Sequence, residues 1–228
     1  MTEQLVRIGP VDDWVRTVAH HLRTDVVPVG PDRADLDRWL TTGRPLLVSA
    51  DVPGLNAILT RLVRRELAAH TPIGWVPDPD RSSRELAAAL HLPARPTLAA
   101  NIATSDAVRP VRLVRDDHGG LLLLRGTLTA ASGRRFGVQS YHDDALIADG
   151  PIRRIEVGPD YTAGCAVHAQ VKAGLRRRAH STGRSVQSAC AEAVVTIDGV
   201  RRERPVTKWT WYADPRQHWL LRAPAPPA

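Results

Sequence analysis

The chain has 228 residues, 43% of them apolar, and its 31 Lys and Arg outnumber its 24 Asp and Glu to give a net charge of +7. This length is enough to bury a core as one large or two small domains. The basic excess favours anionic partners such as phosphates, acidic lipids or nucleic acid. A GC-rich genome explains the arginines equally well. Cys165 and Cys190 lie too far apart in sequence for a C-x-x-C redox pair or a thiolate zinc knuckle, which favours a reduced cytoplasmic protein.

Short apolar runs alternate with helical patterns in the first half of the chain. The predicted strands are 5–8, 25–29, 46–49 and 73–76. Helices are predicted to begin at residue 12 or 13, at 31, near 55 and at the capping box Ser82-x-x-Glu85. Four successive βα units predict a parallel, layered sheet.

After residue 108 the pattern becomes one of short strand-like runs separated by turn dipeptides such as Ser132-Gly133 and Asp198-Gly199. Helical periodicity is largely absent there. We therefore predict an α/β plus all-β protein. Its N-terminal parallel α/β layered domain covers residues 1–108, and a C-terminal antiparallel β-sandwich domain covers residues 109–228.

Acidic residues follow the third and fourth predicted strands. Ligands of open α/β sheets bind at the carboxyl ends of the strands, so these positions form the candidate site. Asp51 would hold Mg²⁺ or position a hydroxyl, or it simply caps the next helix. Asp78 and Asp80 would coordinate a cation together, or Asp80 and Ser82 cap the following helix.

The order of parts in residues 46–93 resembles the catalytic domain of the diacylglycerol kinase, sphingosine kinase and bacterial lipid kinase family. Where that family has GGDGT and a Leu-Asn-rich helix, this chain reads Ser49-Ala50-Asp51-Val52-Pro53-Gly54-Leu55-Asn56. The family's P-L-G-x-x-P strand corresponds to 72–77, its GTGND turn to 78–83, and its L-G-x-P ending to 86–93. Asp149-Gly150 matches an Asp-Gly that the family often carries in its sandwich domain, and Asp198-Gly199 competes for that place.

The resemblance implies ATP-dependent phosphoryl transfer to a lipid or polyol hydroxyl, with ATP and Mg²⁺ as cofactors. It implies Asp51 and Asp149 as catalytic carboxylates, and Asp51 as the Mg²⁺ ligand. The positions implied to contact the nucleotide are Ser49, Ala50, Gly54, Asn56, Asp78, Asp80 and Ser82.

The chain departs from that family at the glycines that let a backbone approach phosphate. Ile8-Gly9-Pro10-Val11 replaces the phosphate loop after the first strand, and Ser49 and Ala50 replace two glycines of GGDGT. Pro53 also removes an N–H donor. These changes predict weakened ATP affinity and support an alternative function, that of a catalytically degenerate binding or regulatory module, acting on an anionic membrane surface among other possibilities.

A further alternative is a nucleic-acid-associated basic protein that uses its arginine excess. The basic segment 172–184 lacks the interleaved aromatic residues of single-strand binders, so we do not expect nucleic acid as a partner. The first ten residues have no signal-peptide pattern, and no apolar run is long enough to span a membrane. A cytoplasmic location is therefore expected.

Overall fold

The computed structural model of the chain describes residues 3–30, 32–40, 44–162, 166–174 and 177–225, without the side chains of 33 and 177–179. Its contacts divide the chain into two compact units, Met1–Val111 with Gln217–Ala228, and Arg112–Arg216. The sequence predicts a single boundary near residue 108, with everything after it in the sandwich domain. Cys165 lies outside the described residues, and Cys190 is a free thiol.

The first unit alternates strands and helices along the chain. Its elements are β1 (Leu5–Ile8), α1 (Asp13–Leu22), β2 (Val26–Val29), α2 (Arg33–Trp39), β3 (Leu46–Ala50), α3 (Val52–Arg64), β4 (Pro72–Pro77), α4 (Arg81–Ala89) and α5 (Pro96–Ala103). The strands pair in parallel in the order β2-β1-β3-β4. The predicted parallel, layered sheet is confirmed. In the described part of the chain no helix is long and apolar enough to cross a membrane.

This strand order fixes where the helices lie. The chain moves one way across the sheet from β1 to β2 and the opposite way from β2 to β3, so right-handed crossovers place α1 and α2 on opposite faces. The contacts agree, since α1 packs on α5 whereas α2 packs on α3. The direction of winding therefore reverses between β1 and β3, which makes that position the topological switch point of the sheet.

Helix α5 was not predicted from the sequence. Pro96 occupies the first turn, where its missing N–H costs nothing, and three alanines of the helix are buried. Gly74 of β4 permits this packing, because a Cβ there would overlap the carbonyl oxygen of Ala103. An eight-residue, alanine-rich helix has too weak an apolar periodicity to be recognised from sequence.

The second unit is built from strands. They are β5 (Val108–Asp116), β6 (Leu121–Leu122), β7 (Gly126–Ala130), β8 (Phe136–His142), β9 (Ala145–Ile152), β10 (Arg154–Asp160), β11 (Ala166–Lys172), β12 (Arg177–Gly183), β13 (Ser185–Ile197), β14 (Val200–Arg201) and β15 (Val206–Arg222). Their pairings within the unit are antiparallel, which confirms the predicted strand arrangement. The end of β15 belongs to the first unit, where Leu220 and Leu221 pair in parallel with β4.

Alternating side chains from these strands form one apolar core. Phe136 and Val138 of β8, Val167 of β11, and Trp209 and Trp211 of β15 all belong to it. Trp209 and Trp211 are both fully buried, so they fill this core rather than forming a platform for a ligand.

Several strands differ from the sequence prediction. The sequence predicts short strand-like runs throughout, but residues Val206–Arg222 form one long strand, β15, and neither β9 nor β12 was predicted. Asp149-Gly150 lies inside β9 rather than in a turn, with Gly150 at a φ of +100° that favours glycine. Part of the basic segment forms β12, and Arg176 lies outside the described residues.

Asp198 holds a turn of the second unit together. It lies buried between β13 and β14, and its carboxylate accepts backbone N–H bonds from Leu123 (2.9 Å), Leu124 (2.8 Å) and Arg125 (2.9 Å). A carboxylate can accept all of these at once, and backbone donors that are withdrawn from water need such an acceptor. The Asp198-Gly199 pair is therefore explained by structure.

We expect Asp198→Ala to lower the free energy of unfolding by about 3 kcal/mol, because it strips several partly or fully buried donors of their acceptor. Asp198→Asn should cost less, since one carbonyl oxygen remains. Urea denaturation followed by circular dichroism measures both. The matched control is Asp149→Ala in the exposed Asp-Gly pair, which should change stability by less than about 0.5 kcal/mol. Equal effects at the two positions would contradict the role assigned to Asp198.

Two histidines of the same unit make its stability depend on pH. Burial lowers the pKa of His142 below its ordinary 6.5, although the neighbouring Asp143 opposes this shift. Burial, with a contribution from His180, also lowers the pKa of His168. Since the unfolded chain takes up these protons first, stability should be full above pH 6.5 and fall as the pH drops towards the folded-state pKa values.

We expect His142→Asn to flatten part of this pH dependence, because asparagine can keep the 2.6 Å hydrogen bond of His142 Nδ1 to Ser181 Oγ without titrating. The measurement is the free energy of unfolding between pH 7.5 and pH 5. His70→Asn, at an exposed position, is the control and should leave the slope unchanged. An unaltered slope in the His142 variant would contradict the assignment.

Candidate functional site

A buried ion pair closes the switch point between β1 and β3. Arg7 of β1 is 3% exposed, and its guanidinium forms a salt bridge with the carboxylate of Asp78, which is 14% exposed. Arg7 Nη1 also donates to Ser49 Oγ of β3 at 3.2 Å, and Nε donates to the carbonyl oxygen of Pro10 at 2.9 Å. One side chain thus joins the carboxyl ends of β1 and β3 to the residue that follows β4.

Three carboxylates converge on this position. Burial raises the pKa of Asp78, while the salt bridge with Arg7 opposes that rise. The negative charges of Asp51 and Asp12 raise the pKa of Asp78 further, which requires both of them to lie close to it. The structure therefore brings together Asp51 and Asp78, as the sequence predicted, and adds Asp12 and Arg7, which the sequence analysis missed.

The helices that begin at this edge each carry an aspartate as N-cap. Asp12 accepts from the amide of Val15 at 2.9 Å, Asp51 from Gly54 at 2.8 Å, and Asp80 from the amide of residue 83 at 3.0 Å. The predicted capping box at Ser82 is wrong, because Asp80 is the cap and Ser82 is an exposed residue of the first helical turn. Asp80 accepts from the Ser83 amide, so the N-cap lies two residues earlier than the capping box predicts.

The other predicted nucleotide contacts are packed among protein atoms. Ser49 and Ala50 are fully buried in β3. A Cβ at Gly54 would lie 3.0 to 3.1 Å from Asp51, Ile8 and Ala50, so glycine fits there because the helix packs closely on the sheet. Asn56 is partly buried and its Oδ1 accepts from the Thr60 hydroxyl at 3.0 Å. A ligand contact at any of these positions stays a prediction.

Asp149 lies in the second unit, on β9, where it is exposed and stands opposite Gln139 of β8. Its exposure is compatible with contact to a substrate. A catalytic role for it together with Asp51 stays a prediction.

The site residue that sequence reasoning missed left a visible signal. Strand β1 reads Leu-Val-Arg-Ile and was predicted to lie in a parallel sheet, whose strands are covered on both faces. An arginine inside such a strand has to be paired, because the cost of burying an isolated charge is prohibitive. The sequence does not say which carboxylate pairs with Arg7, since Asp78 lies 71 residues away.

The electrostatics of this edge favour cations over phosphate. Helix N-termini normally attract anions through their free amides and their dipoles. Here Asp12, Asp51 and Asp80 supply that negative charge from the chain itself, and Asp78 adds another carboxylate, which is paired with Arg7. Within the described ranges, however, no group of three or more His, Cys, Asp or Glu is arranged to hold a metal ion.

Comparisons with known proteins identify the fold. No family model and no curated protein sequence matches the chain. Among solved structures, a diacylglycerol kinase from Bacillus anthracis str. Sterne is similar with a TM-score of 0.73 and 12% identity, covering 97% of both chains. An NAD kinase from Archaeoglobus fulgidus in complex with ATP is similar with a TM-score of 0.60 and 12% identity, covering 96% of this chain and 93% of that one.

These similarities confirm that the chain has a diacylglycerol-kinase-like fold, as the resemblance in residues 46–93 predicted. They also confirm the two-part architecture, with parallel strands first and antiparallel strands after them. At such low sequence identity the likeness concerns the fold, and function has to be argued from the residues of the site.

We expect Arg7→Met to lower the free energy of unfolding by about 3 kcal/mol, because it leaves the Asp78 carboxylate largely buried without its cation and close to other carboxylates. The double variant Arg7→Met with Asp78→Leu should recover a large part of that loss, since no buried charge then remains. Urea denaturation of both single variants and the double variant gives the coupling energy.

The control for this cycle is the exposed ion pair of Arg16 and Asp13, whose side chains are 64% and 98% exposed. Arg16→Met should change stability by less than about 1 kcal/mol. Additive losses for Arg7 and Asp78 would show that the pair is not coupled and would overturn its role in the site.

Proposed function

We propose that this protein is a binding or regulatory module built on the diacylglycerol-kinase-like fold, with phosphoryl transfer lost. The observation that carries the proposal is that two groups which a phosphate would use at this edge are already bonded within the chain. The Gly54 amide at the start of α3 donates to Asp51, and the guanidinium of Arg7 is bound by Asp78, Ser49 and Pro10.

The residues at this edge do not fit the phosphates of ATP. A phosphate cradle needs several free backbone N–H groups and a free cation. Pro53 has no N–H, the Gly54 amide is taken, and a triphosphate would meet the carboxylates of Asp12, Asp51 and Asp78. Asp51 and Asp78 would suit Mg²⁺ better than phosphate, but the two alone make at most part of a coordination shell. We therefore derive no reaction step through either group.

The second candidate function is an ATP-dependent lipid kinase, with a lipid or polyol hydroxyl as acceptor and Asp51 and Asp149 as the carboxylates. It is supported by the similarity in fold to a diacylglycerol kinase and to an NAD kinase in complex with ATP. Kinase activity would require that Asp51 release the Gly54 amide and that a cation screen the carboxylates at this edge from the phosphates. A membrane-surface role for the basic segment around Lys172 and a cytoplasmic location also remain proposals.

Under the proposed function, calorimetric titration with ATP and Mg²⁺ should give no binding tighter than about 1 mM. Incubation with diacylglycerol and with a polyol panel should yield no phosphorylated product. Micromolar binding of ATP followed by phosphoryl transfer to a lipid or polyol would contradict the proposal and establish the kinase function.

Two substitutions at Asp51 separate capping from chemistry. Asp51→Ala should lower the free energy of unfolding by about 1 kcal/mol through the lost N-cap, whereas Asp51→Asn should retain it because the amide oxygen still accepts from Gly54. Asp80→Asn is the matched control at the start of α4. If the protein is a kinase, Asp51→Asn abolishes turnover in a folded protein while Asp80→Asn does not.

A further inference from the structure

A cavity of about 1380 Å³ opens in the first unit at the edge opposite the candidate site. It lies at the amino ends of β1, β3 and β4, where α1, α2 and α3 end. The proposed function and the nucleotide contacts implied by the resemblance both concern the other edge of the sheet. Its volume exceeds that of most small-ligand pockets, so a ligand with a long apolar part fits within it.

Apolar side chains form part of the cavity wall, beside charged and polar ones. Leu46 and Leu47 of β3, Leu62 of α3 and Leu67 just after α3 line it, together with Trp39 at the end of α2. Trp39 is half-buried, so part of its side chain is accessible to a ligand. An accessible apolar surface of this kind gains free energy by covering an alkyl chain.

Arginines supply the charge at the same cavity. Arg23 and Arg44 line it and are exposed, and no ion pair of either is found in the part of the chain that the structure describes. The buried Arg222 also lines the cavity, but it is bound to Glu3 at 2.5 Å. Arg38 also lines the cavity, and the lining carboxylates are Glu3 and Asp25, so the arginines leave a positive excess around it.

A buried hydroxyl provides a separate observation. Thr71 lies directly before β4, lines the cavity and is only 3% exposed, yet its Oγ1 has no hydrogen-bond partner among the described residues. Buried polar groups are nearly always bonded, and an orphan of this kind calls for a partner from outside the chain. An oxygen of a bound ligand would supply it.

We propose that this cavity binds an amphipathic anion with a single alkyl chain. The chain packs on Trp39 and the leucines, and a carboxylate or phosphate head lies among Arg23 and Arg44. The helices end here with the negative ends of their dipoles, which by themselves disfavour an anion, so the two arginines are required for its selection. The inference does not depend on whether phosphoryl transfer survives at the opposite edge.

The test uses the full chain and four probes below their micelle concentrations, dodecanoate, dodecyl phosphate, dodecyltrimethylammonium and inorganic phosphate. Calorimetry should show saturable binding of at least one of the two anions, at least about tenfold tighter than the cation. The stronger anion identifies the head group as carboxylate or phosphate. Inorganic phosphate alone should bind at least as weakly as the cation. Equal binding of alkyl anion and alkyl cation, or no saturable binding, would overturn the proposal.

Variants locate the ligand. Arg44→Gln and Arg23→Gln should each weaken binding of the anion about tenfold, whereas Arg64→Gln, an exposed arginine of α3 that does not line the cavity, should leave it unchanged. Trp39→Phe should remove the ligand-induced change in tryptophan fluorescence. Thermal unfolding of each variant without ligand should match that of the unchanged protein, so that a loss of binding reports the site.

Two further results separate this site from the edge with Asp51. Thr71→Val keeps the side-chain shape, so it should weaken binding severalfold without lowering stability; unchanged affinity would remove Thr71 from the site. Excess ATP with Mg²⁺ should not compete with the alkyl anion. Competition would place the anion at the other edge and overturn the proposal, whatever the outcome of the kinase assay.

Discussion

The salt bridge between Arg7 and Asp78 is the constraint on which the architecture of the first unit depends. It joins β1 to the residue that follows β4. The hydrogen bond from Arg7 to Ser49 adds β3, which lies between these two strands. Burial makes the pair costly to form and more costly to break, because either partner alone would be an uncompensated charge. The ion pair therefore fixes the register of β1, β3 and β4 at their carboxyl ends and fills the switch point, where a ligand of this fold class would otherwise bind.

The aspartate N-caps extend the same principle to the helices. A helix start with free amides is stabilised when an anion binds, so its folding is linked to its ligand. At α1, α3 and α4 the chain supplies that anion itself through Asp12, Asp51 and Asp80. The folded state is thereby complete without phosphate. Exposed arginines are found instead at the opposite edge, where Arg23 and Arg44 line a cavity.

Periodicity and composition predicted the alternation of β1 to β4 with α1 to α4, because each of these elements buries one continuous face. They did not predict α5, whose packing depends on the contact between Gly74 and Ala103. They did not predict β12 either, because its arginine-rich sequence has no apolar alternation. Asp51 and Asp78 could be placed near one another from topology alone. Arg7 could not be assigned to them, since the pairing of charges across the sheet is set by three-dimensional contact and leaves no local pattern.

The capping geometry also bears on how such a protein changes over evolutionary time. Serine, asparagine and aspartate cap helices with comparable strength but differ in charge. An exchange among them at residue 12, 51 or 80 alters the electrostatic potential of the edge by one elementary charge each time, while the helix remains capped. Single substitutions can therefore change this surface stepwise from one that repels anions to one that attracts them. Every intermediate sequence keeps its helix caps and is therefore stable.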